Sequence, residues 1–467
     1  MKPVLLLNVV GLTQSQVGDA TPNLRALAER GGSAPMTTVL PAVTMSAQAT
    51  MLSGGSPAEH GVVGNGWMDR KTREFAFWRQ SNNLVDGRKL YERARELDPS
   101  FTCAKLFWWF NMGAAVDWSV TPRPYYAADG RKHLSVYTSP PGFQAELEQP
   151  LGAFPFFDFW GPRAGLASSS WITEAALLSM QRHDPTLTMV YLPHLDYDYQ
   201  RFGPEAPQSR EALRAVDALV GQLVEAADAR GAETVVVSEY GIEPVSRPVH
   251  INRCLREAGL LEVRPGPFGE TLDPFASKAF AVSDHQVAHV YTRDAEALAS
   301  ATKALESLLG VDQLLGGDAR AKAGLDHPNA GDLIAVADPD AWFTYYYWLD
   351  DAQAPDFART VDIHRKPGYD PAELFVDPKL ALPKLRVANR LARKAVGLRY
   401  MMDVIPIEAD LVRGSHGRLP DSPDRGPVFI SSADFARCGG TPGSGVVEMS
   451  SVCERVLALL LREDPAN

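Results

Sequence analysis

Three short runs of nearly uninterrupted apolar residues constrain the fold of this chain more than any other feature. They are 3-PVLLLNVVGL-12, 187-LTMVYLPH-194 and 234-TVVV-237, and helical patterns such as 21-TPNLRALAERG-31 and 209-SREALRAVDALVGQLVEAADARG-231 alternate with them. A strand that is apolar on both faces is typical of a parallel sheet covered by helices on both sides. The alternation therefore predicts a doubly wound α/β core.

Weaker patterns give the remaining elements. We predict a strand around residues 36–43, a helix over 171–183 and a strand-like segment over 279–292. Aromatic residues and prolines are concentrated between 101 and 165. That composition favours a cap or a pocket wall over regular sheet.

These patterns divide the chain into a core and insertions. We predict that residues 1–265 and 411–467 form the α/β core, with an aromatic cap insert near 101–165. Residues 266–410 are expected to form an inserted subdomain.

Composition excludes some classes of function. The formal net charge of −11 provides no general positive field, so we expect no binding of a nucleic acid polymer. No window approaches the roughly 18 apolar residues that span a bilayer, and the start of the chain lacks the small-residue cleavage site of a signal peptide. Four cysteines without C-x-x-C spacing suit a reducing compartment. We therefore expect a cytoplasmic protein of undetermined oligomeric state.

The strongest chemical signal is the stretch 41-PAVTMSAQATMLSGGSPAEHGVVGN-65. Its pattern places Thr44 where a strand and a proline-containing loop lead into a helix. A hydroxyl there faces the positive end of the helix, which favours a phosphate or an oxyanion. Thr44 is therefore a candidate nucleophile, although a threonine in this position is often only an N-cap.

Taken in order along the chain, the motifs resemble the type I phosphodiesterase/nucleotide pyrophosphatase branch of the alkaline phosphatase superfamily. The motifs are 21-TPNLRALAERG-31, the P-x-x-T-x-S-x-Q-x-T pattern around Thr44, 56-SPAEHGVVGN-65, 191-YLPHLDYDYQRFGP-204, 235-VVVSEYGI-242 and 413-RGSHG-417. The resemblance implies an alkaline-phosphatase-like α/β fold with a mainly parallel sheet, helices on both faces and inserted cap segments. It also implies a Thr or Ser nucleophile bridged to two divalent metals, usually zinc, and it gives Asn65 the role of binding a phosphoryl oxygen.

The metal ligands that the resemblance implies are only partly retained. Asp196 and His416 match the family's ligands at the first metal, but Gln200 replaces a histidine there. At the second metal, Val10 replaces an aspartate. The first site thus keeps two ligands, with Gln200 as a possible neutral oxygen ligand.

The second metal is affected most by the stretch 238-SEYG-241, which stands where the family has an Asp-His pair. Glu239 remains a candidate ligand beside Thr44 or a candidate base. A phenol with an ordinary pKa near 10 is mostly protonated at neutral pH, so Tyr240 is better suited to donate a hydrogen bond to a phosphate. The residues retained at the second metal, Thr44 and Glu239, are too few for ordinary zinc binding.

Replacement ligands are available elsewhere in the sequence. Asp198 would share a face with Asp196 if that stretch were strand-like. Asp284 and His285, in 283-SDHQVAH-289, are further candidates. The histidines of this segment could instead only satisfy local hydrogen bonds.

Two basic segments lie outside these motifs. His364, Arg365 and Lys366 have the composition of a substrate loop that neutralises a second phosphate or a carboxylate, or of a solvated turn with local ion pairs. Residues 379–399 contain seven basic residues and no acidic one. They predict a basic amphipathic helix, which would either make weak contact with a membrane surface or pack its apolar face on the protein.

The leading hypothesis is a metal-dependent hydrolase of a small phosphodiester, pyrophosphate or phosphonate, with Thr44 as nucleophile and Asn65 as a phosphoryl ligand. The cofactor would be one or two divalent ions of Zn, Mn or Mg, and the partner a small phosphorylated or otherwise anionic substrate. The alternative is a catalytically degenerate family member that binds an anionic metabolite or a partner. The loss of family ligands at Val10, Gln200, Glu239 and Tyr240 motivates this alternative.

Overall fold

The computed structural model describes residues 1–129, 131–435 and 445–461. Their two larger sheets contain twelve strands. In chain order these are β1 Val4–Val9, β2 Gly32–Pro35, β3 Cys103–Leu106, β4 Trp118–Pro122, β5 Val136–Ser139, β6 Leu187–Leu192, β7 Glu233–Val237, β8 Ala279–Asp284, β9 Val287–Thr292, β10 Val311–Gly316, β11 Leu333–Ala337 and β12 Val428–Ser431.

The main sheet has eight strands in the order β2-β12-β7-β1-β6-β3-β4-β5. The five strands from β7 to β4 are parallel to one another, and β2, β12 and β5 run antiparallel to their neighbours. Every residue of β1 and β6 is buried. The predicted buried parallel sheet is confirmed, and its centre consists of the three apolar runs from which that prediction started.

Thirteen α-helices are described. They are α1 Pro22–Arg30, α2 Thr44–Ser53, α3 Pro57–His60, α4 Leu90–Leu97, α5 Gly142–Leu151, α6 Leu166–His183, α7 His194–Phe202, α8 Pro207–Ala229, α9 Ile251–Glu257, α10 Ala295–Glu306, α11 Gly317–Lys322, α12 Pro383–Ala395 and α13 Val452–Leu460. Helix α8 packs against α1, α6 and α7, whereas α13 packs against α2, α4 and β1. These two groups cover the faces of the main sheet.

A second hydrophobic cluster forms around a smaller antiparallel sheet in the order β8-β9-β11-β10. Its core contains the aromatic residues Trp342, Tyr345, Tyr346, Tyr347 and Trp348, all nearly inaccessible. This cluster lies mostly in the sequence region predicted as an inserted subdomain. The limits of that subdomain stay a prediction.

Five short two-stranded ribbons complete the described strands. They are Gly66–Met68 with Phe75–Phe77, Tyr125–Tyr126 with Lys132–His133, Arg247–Val249 with Ala341–Phe343, Val263–Gly266 with Gly269–Leu272, and Glu243–Pro244 with Gly414–Ser415. No helix in the described ranges combines the length and apolar character needed to cross a membrane.

Two expectations about local structure are wrong. The strand expected over 36–43 ends instead at Pro35, and the following residues lead into α2 with only an isolated bridge at Met36. The aromatic segment 101–165 contributes β3, β4 and β5 to the main sheet. Its aromatic rings include Phe107 and Phe154, which pack together in the core with ring centroids 4.7 Å apart.

The strand-like segment 279–292 is also not a single strand. It forms a hairpin of β8 and β9, in which His285 adopts a left-handed φ of 60° at the turn. A two-residue hairpin loop favours positive φ because that twist matches the strands on either side. The turn therefore places His285 in the loop of the hairpin and His289 within β9.

Candidate active site

The candidate site lies where β1, β6 and β7 end at the same edge of the main sheet. Glu239 and Tyr240 follow β7, and Asp196 lies in α7, which begins shortly after β6. Ligands bind at this edge in open α/β sheets because the loops and helix N-termini meet there. The parallel pairing of these strands therefore brings together residues that are far apart in the sequence.

Thr44 is the first residue of α2, after Val43 in an extended conformation. Its side chain is almost fully buried, and its hydroxyl oxygen lies 3.1 Å from the phenolic oxygen of Tyr240. The first N–H groups of a helix have no partner within the helix and give its end a positive character. Thr44 thus presents its hydroxyl where an anionic group is favoured.

Asn65 is fixed by three hydrogen bonds. Its side-chain oxygen accepts the backbone N–H of Met45 at 3.0 Å, and its side-chain nitrogen donates to Asp284 Oδ1 at 3.1 Å. Its backbone N–H donates to Asp284 Oδ2 at 2.7 Å. Asn65 is therefore held beside the start of α2, and Asp284 is the residue that orients it.

Asp284 itself is wholly buried at the end of β8. Burial raises the pKa of its carboxyl group to about 6, although the hydrogen bonds from Asn65 oppose this rise. The ring of His285 lies 2.9 Å away through Nδ1. The hairpin turn thus brings both candidate replacement residues to the site, although at a position that a continuous strand would not give them.

Asp196 is linked to a buried amide and two phenols. Gln200 donates to Asp196 Oδ2 at 2.7 Å and accepts a hydrogen bond from Tyr369 at 2.9 Å. Tyr240 donates to Asp196 Oδ1 at 3.4 Å. Burial raises the pKa of Asp196 to about 7, and the bonds from Gln200 and Tyr240 oppose the rise.

His416 has a fixed ring orientation. Its Nδ1 lies 2.8 Å from the carbonyl oxygen of Ala42, which can only accept, so Nδ1 carries the proton and Nε2 presents a lone pair. This buried Nε2 has no hydrogen-bond partner among the described residues, and it lies 3.7 Å from Asp196 Oδ1. Burial lowers the pKa of His416 well below its usual value, so the ring is neutral.

Glu239 is fully buried and held by two amides. Asn8 and Gln48 each donate to its Oε1 at 2.6 Å. Burial raises its pKa to about 8, although these two bonds oppose the rise, so the carboxyl group is mostly protonated at neutral pH. Gln48 is also fixed, because its oxygen accepts the backbone N–H of Trp109 at 2.8 Å.

Because the pKa of Glu239 is raised in the folded protein, we predict that the unfolding free energy depends on pH through this residue. In the unfolded chain this group titrates near 4.5, and in the folded chain it titrates near 8. The stability that the neutral carboxyl contributes is therefore complete below pH 4.5 and is lost as the pH rises to about 8. We expect Glu239→Gln, which cannot titrate, to flatten the fall of the unfolding free energy across this window by up to ~1.4 kcal/mol per pH unit.

Urea unfolding of both proteins at a series of pH values, in the presence of a chelator, measures this difference. Asp196 and Asp284 titrate in both proteins, so the difference between the two curves reports Glu239 together with its charge interaction with Asp196. Equal slopes for the wild type and Glu239→Gln would contradict the prediction.

The donor groups fit one metal ion better than two. No group of three or more His, Cys, Asp and Glu side chains in the described part of the chain is arranged to hold a metal. Asp196 and the bare Nε2 of His416 could share one cation, and Gln200 could join them by giving up its bond to Tyr369. At the second position Val10 lies in the apolar core, and the Tyr240 phenol bonds to Thr44. The two-metal set implied by the resemblance therefore does not fit.

Several candidates from the sequence lie apart from this cluster. Asp198 lies on helix α7 and not on a strand, so the expected shared face with Asp196 is wrong; it pairs with Arg201 at 3.1 Å. His364 and Arg365 are exposed. Lys366 is buried in ion pairs with Asp370 at 2.7 Å and Glu373 at 2.6 Å.

Three residues of the site, Asn8, Gln48 and Tyr369, are not among the candidates from the sequence, although Gln48 belongs to the motif around Thr44. Asn8 interrupts an otherwise apolar strand, and Gln48 is a buried amide in α2. A polar residue in such surroundings requires a partner, and this is the signal that identifies both. Tyr369 gave no such signal, because aromatic residues are common in cores.

A cavity of about 230 Å³ adjoins the ring of Tyr240. Thr38, Ala42, Gly241 and Arg418 also contribute to its wall. Thr44 itself is only 3% exposed. Space for a small molecule therefore exists next to Tyr240, while Thr44 itself is nearly closed off from solvent.

Comparison with known proteins identifies the relatives of this chain. The family model for type I phosphodiesterase / nucleotide pyrophosphatase matches residues 4–370. An uncharacterised pyrophosphatase/phosphodiesterase of Schizosaccharomyces pombe is 24% identical over 235 residues, which are 48% of this chain and 41% of the yeast protein. The chain thus matches less than half the length of this curated relative.

Solved structures show the same fold. Phosphonoacetate hydrolase from Sinorhizobium meliloti, in complex with phosphonoformate, has a TM-score of 0.62 and 15% identity, covering 98% of this chain and 96% of the other. An inactive form of murine ectonucleotide pyrophosphatase / phosphodiesterase 5, in complex with AMP, has a TM-score of 0.59 and 14% identity, covering 100% and 97%. The predicted alkaline-phosphatase-like fold is confirmed.

Proposed function

Because this chain belongs to the type I phosphodiesterase / nucleotide pyrophosphatase family, we propose that it hydrolyses a small phosphodiester, pyrophosphate or phosphonate with Thr44 as the nucleophile. The solved relatives hold small anionic molecules, namely AMP in the murine protein and phosphonoformate in the bacterial hydrolase. A small phosphorylated or phosphonylated substrate is therefore the class that we propose here. A cytoplasmic location stays a prediction from the sequence.

One observation carries the proposal: a hydroxyl at the positive end of α2 is hydrogen-bonded to a phenol, which in turn bonds to a carboxylate. The Thr44 hydroxyl lies 3.1 Å from the Tyr240 oxygen, and Tyr240 lies 3.4 Å from Asp196 Oδ1. An N–H group at the start of a helix stabilises charge on a phosphoryl oxygen in the manner of an oxyanion hole. Asn65 supports this start through its bond to Met45.

The same contacts give a route for the proton of Thr44. As the Thr44 oxygen forms a bond to phosphorus and the bond to the leaving group breaks, Tyr240 accepts the hydroxyl proton and passes its own to Asp196. Water then attacks phosphorus, the bond to Thr44 breaks, and the proton held by Asp196 returns through Tyr240 to Thr44. The proton that the attacking water loses is taken up by the group that departed in the first step. Burial raises the pKa of Tyr240 well above its usual value, so the two transfers through Tyr240 have to be concerted.

The charge of the site supports the proposal that hydrolysis depends on a metal. The side chains around Thr44 described above include no Lys or Arg, and His416 is neutral. A phosphoryl group brings negative charge into this buried space, where an unpaired charge is costly. Asp196 and His416 would hold one divalent ion of Zn, Mn or Mg, which when bound neutralises charge on a phosphoryl oxygen.

Metal stoichiometry and hydrolysis, measured together, test this proposal. We expect about one divalent ion per chain in wild type and loss of that ion in His416→Ala, measured by elemental analysis after dialysis. The assay panel contains a chromogenic phosphodiester, a dinucleoside pyrophosphate and a phosphonate, each with a chelator or with added Zn²⁺, Mn²⁺ or Mg²⁺. Hydrolysis that persists in chelator would show that Asp196 acts only as a proton acceptor. Two ions per chain would contradict the single-ion site.

A catalytically inactive binding protein is the second candidate. The observation that favours it is the bond of Tyr240 to Thr44, together with the neutral, amide-held Glu239, where a second metal was expected. In that case every substrate of the panel stays intact, while AMP or a phosphonate still binds in calorimetry. Binding that survives in wild type and is weakened by Asn65→Ala would support this candidate.

A further inference from the structure

We propose that helix α12 attaches the protein to the surface of an anionic lipid bilayer. The helix spans Pro383–Ala395, and none of its residues is buried. This proposal rests on observations far from the active site. It is therefore independent of whether the chain hydrolyses a substrate.

The helix contacts the protein through its polar side. Arg386 and Arg390 both pair with Asp403, and the distance from Arg390 Nε to Asp403 Oδ1 is 3.1 Å. Between them, Val387 packs against a small cluster that contains Val404 and Ile405. Arg386 and Arg390 are four positions apart and lie on one side of α12, whereas Val387 lies about 100° round the helix from Arg386, at the edge of that side.

The opposite side of α12 is apolar and faces away from the protein. Leu385 is 63% exposed, Leu391 is 49% exposed, and Val396, just after the helix, is 71% exposed. Leu382 and Leu398 extend this surface at the two ends, with 64% and 56% exposure. The amphipathic helix thus turns its apolar side outward, contrary to the usual arrangement in which that side packs on the core.

Basic side chains surround the apolar surface. Residues 379–399 carry seven basic residues and no acidic one, whereas the whole chain has a net charge of −11. Four of these cations have no carboxylate partner in the described ranges: Lys384, Arg393, Lys394 and Arg399. An exposed apolar strip flanked by cations is typical of a helix that lies in the interface of an anionic membrane.

The size of this surface argues against a second copy of the chain as its occupant. A helix of 13 residues is about 20 Å long at 1.5 Å per residue. A stable protein interface buries roughly 800 Å² on each partner, which is more than one side of such a short helix offers. A bilayer needs no complementary shape, and its anionic headgroups match the local charge.

Sedimentation with vesicles tests the proposal on the full chain. We expect the protein to bind vesicles of equal parts phosphatidylglycerol and phosphatidylcholine at least about ten-fold more strongly than phosphatidylcholine vesicles, with release at high salt. The double variant Leu385→Gln and Leu391→Gln should lose at least about ten-fold in binding. The matched control is the double variant Leu309→Gln and Phe268→Gln. It removes one leucine and one phenylalanine side chain that lie outside α12 and are 84% and 71% exposed.

The control variant should bind like wild type, and circular dichroism checks that all three proteins are folded. No binding by wild type, or equal loss in the α12 variant and the control, would overturn the proposal. So would analytical ultracentrifugation in which wild type is a dimer without lipid and the α12 variant a monomer. That result would assign the surface to a second copy.

Discussion

Replacing Thr44 with alanine is expected to lower the rate of hydrolysis by at least about a thousand-fold. The physical reason is that, among the residues that the structure describes, Thr44 is the hydroxyl at the start of α2 that bonds to Tyr240. Thr44→Ser keeps the hydroxyl oxygen and removes only a methyl group, so we expect it to retain activity. Initial rates with the best substrate of the assay panel measure both effects.

A loss of hydrolysis in Thr44→Ala has to be distinguished from a loss of folded protein. Thr44→Ala also removes a buried hydrogen bond, which costs about 1 kcal/mol of unfolding free energy. This loss is too small to unfold a domain, and it is measured by urea unfolding of wild type, Thr44→Ala and Thr44→Ser. A folded Thr44→Ala protein with nearly full activity would remove Thr44 from the role of nucleophile.

Replacing Lys366 with methionine is expected to lower the unfolding free energy by about 3–5 kcal/mol. Lys366 is 1% exposed and pairs with Asp370 and Glu373, which are themselves buried. Without the ammonium group, two carboxylates remain close together in a buried space. Glu373 also accepts a hydrogen bond from Trp160, so the disturbance reaches a neighbouring aromatic residue.

The neighbouring residue provides the control. The side chain of Arg365 is 60% exposed and pairs with Asp362, so Arg365→Met is expected to change stability by less than about 1 kcal/mol. Urea unfolding of the two variants side by side measures the contrast. A Lys366→Met effect as small as that of Arg365→Met would contradict a structural role for Lys366.

A compensated variant keeps the prediction testable if Lys366→Met does not fold. Adding Asp370→Asn and Glu373→Gln removes both negative charges while keeping side-chain shape. Replacing a whole buried ionic group by neutral residues is often nearly neutral, so stability should be largely restored. Failure of this triple variant to recover would show that the charges are not the cause.

The sheet could be predicted from the sequence because its central strands are apolar on both faces. The ends of β1, β6 and β7 lie within a few residues of the predicted limits. The prediction of a strand over 36–43 is wrong because extended residues form a strand only where a neighbouring strand accepts and donates their backbone hydrogen bonds. The sequence alone does not show whether such a neighbour is present. Segment 101–165 was misjudged because aromatic residues suit both a cap and a buried sheet edge.

The candidate site was only partly predictable, because motifs identify positions and not contacts. The family resemblance implies that Thr44, Asp196 and Tyr240 lie near one another, but it does not show that Tyr240 bonds to both of the others. The hydrogen bonds of Asn8 and Gln48 to Glu239 depend on the register of the strands and on the direction of α2, which the sequence does not show. Asp198 was misplaced because two residues that share a face on a strand point to different sides of a helix.

Four aromatic rings stack in succession through the site. Tyr240 and His416 have ring centroids 3.5 Å apart, His416 and His285 are 3.7 Å apart, and His285 and Tyr369 are 3.7 Å apart. Tyr240 belongs to the core of the main sheet, and Tyr369 belongs to the second hydrophobic cluster. The column of rings therefore joins the two hydrophobic clusters, and it is complete only where both clusters are folded and in contact.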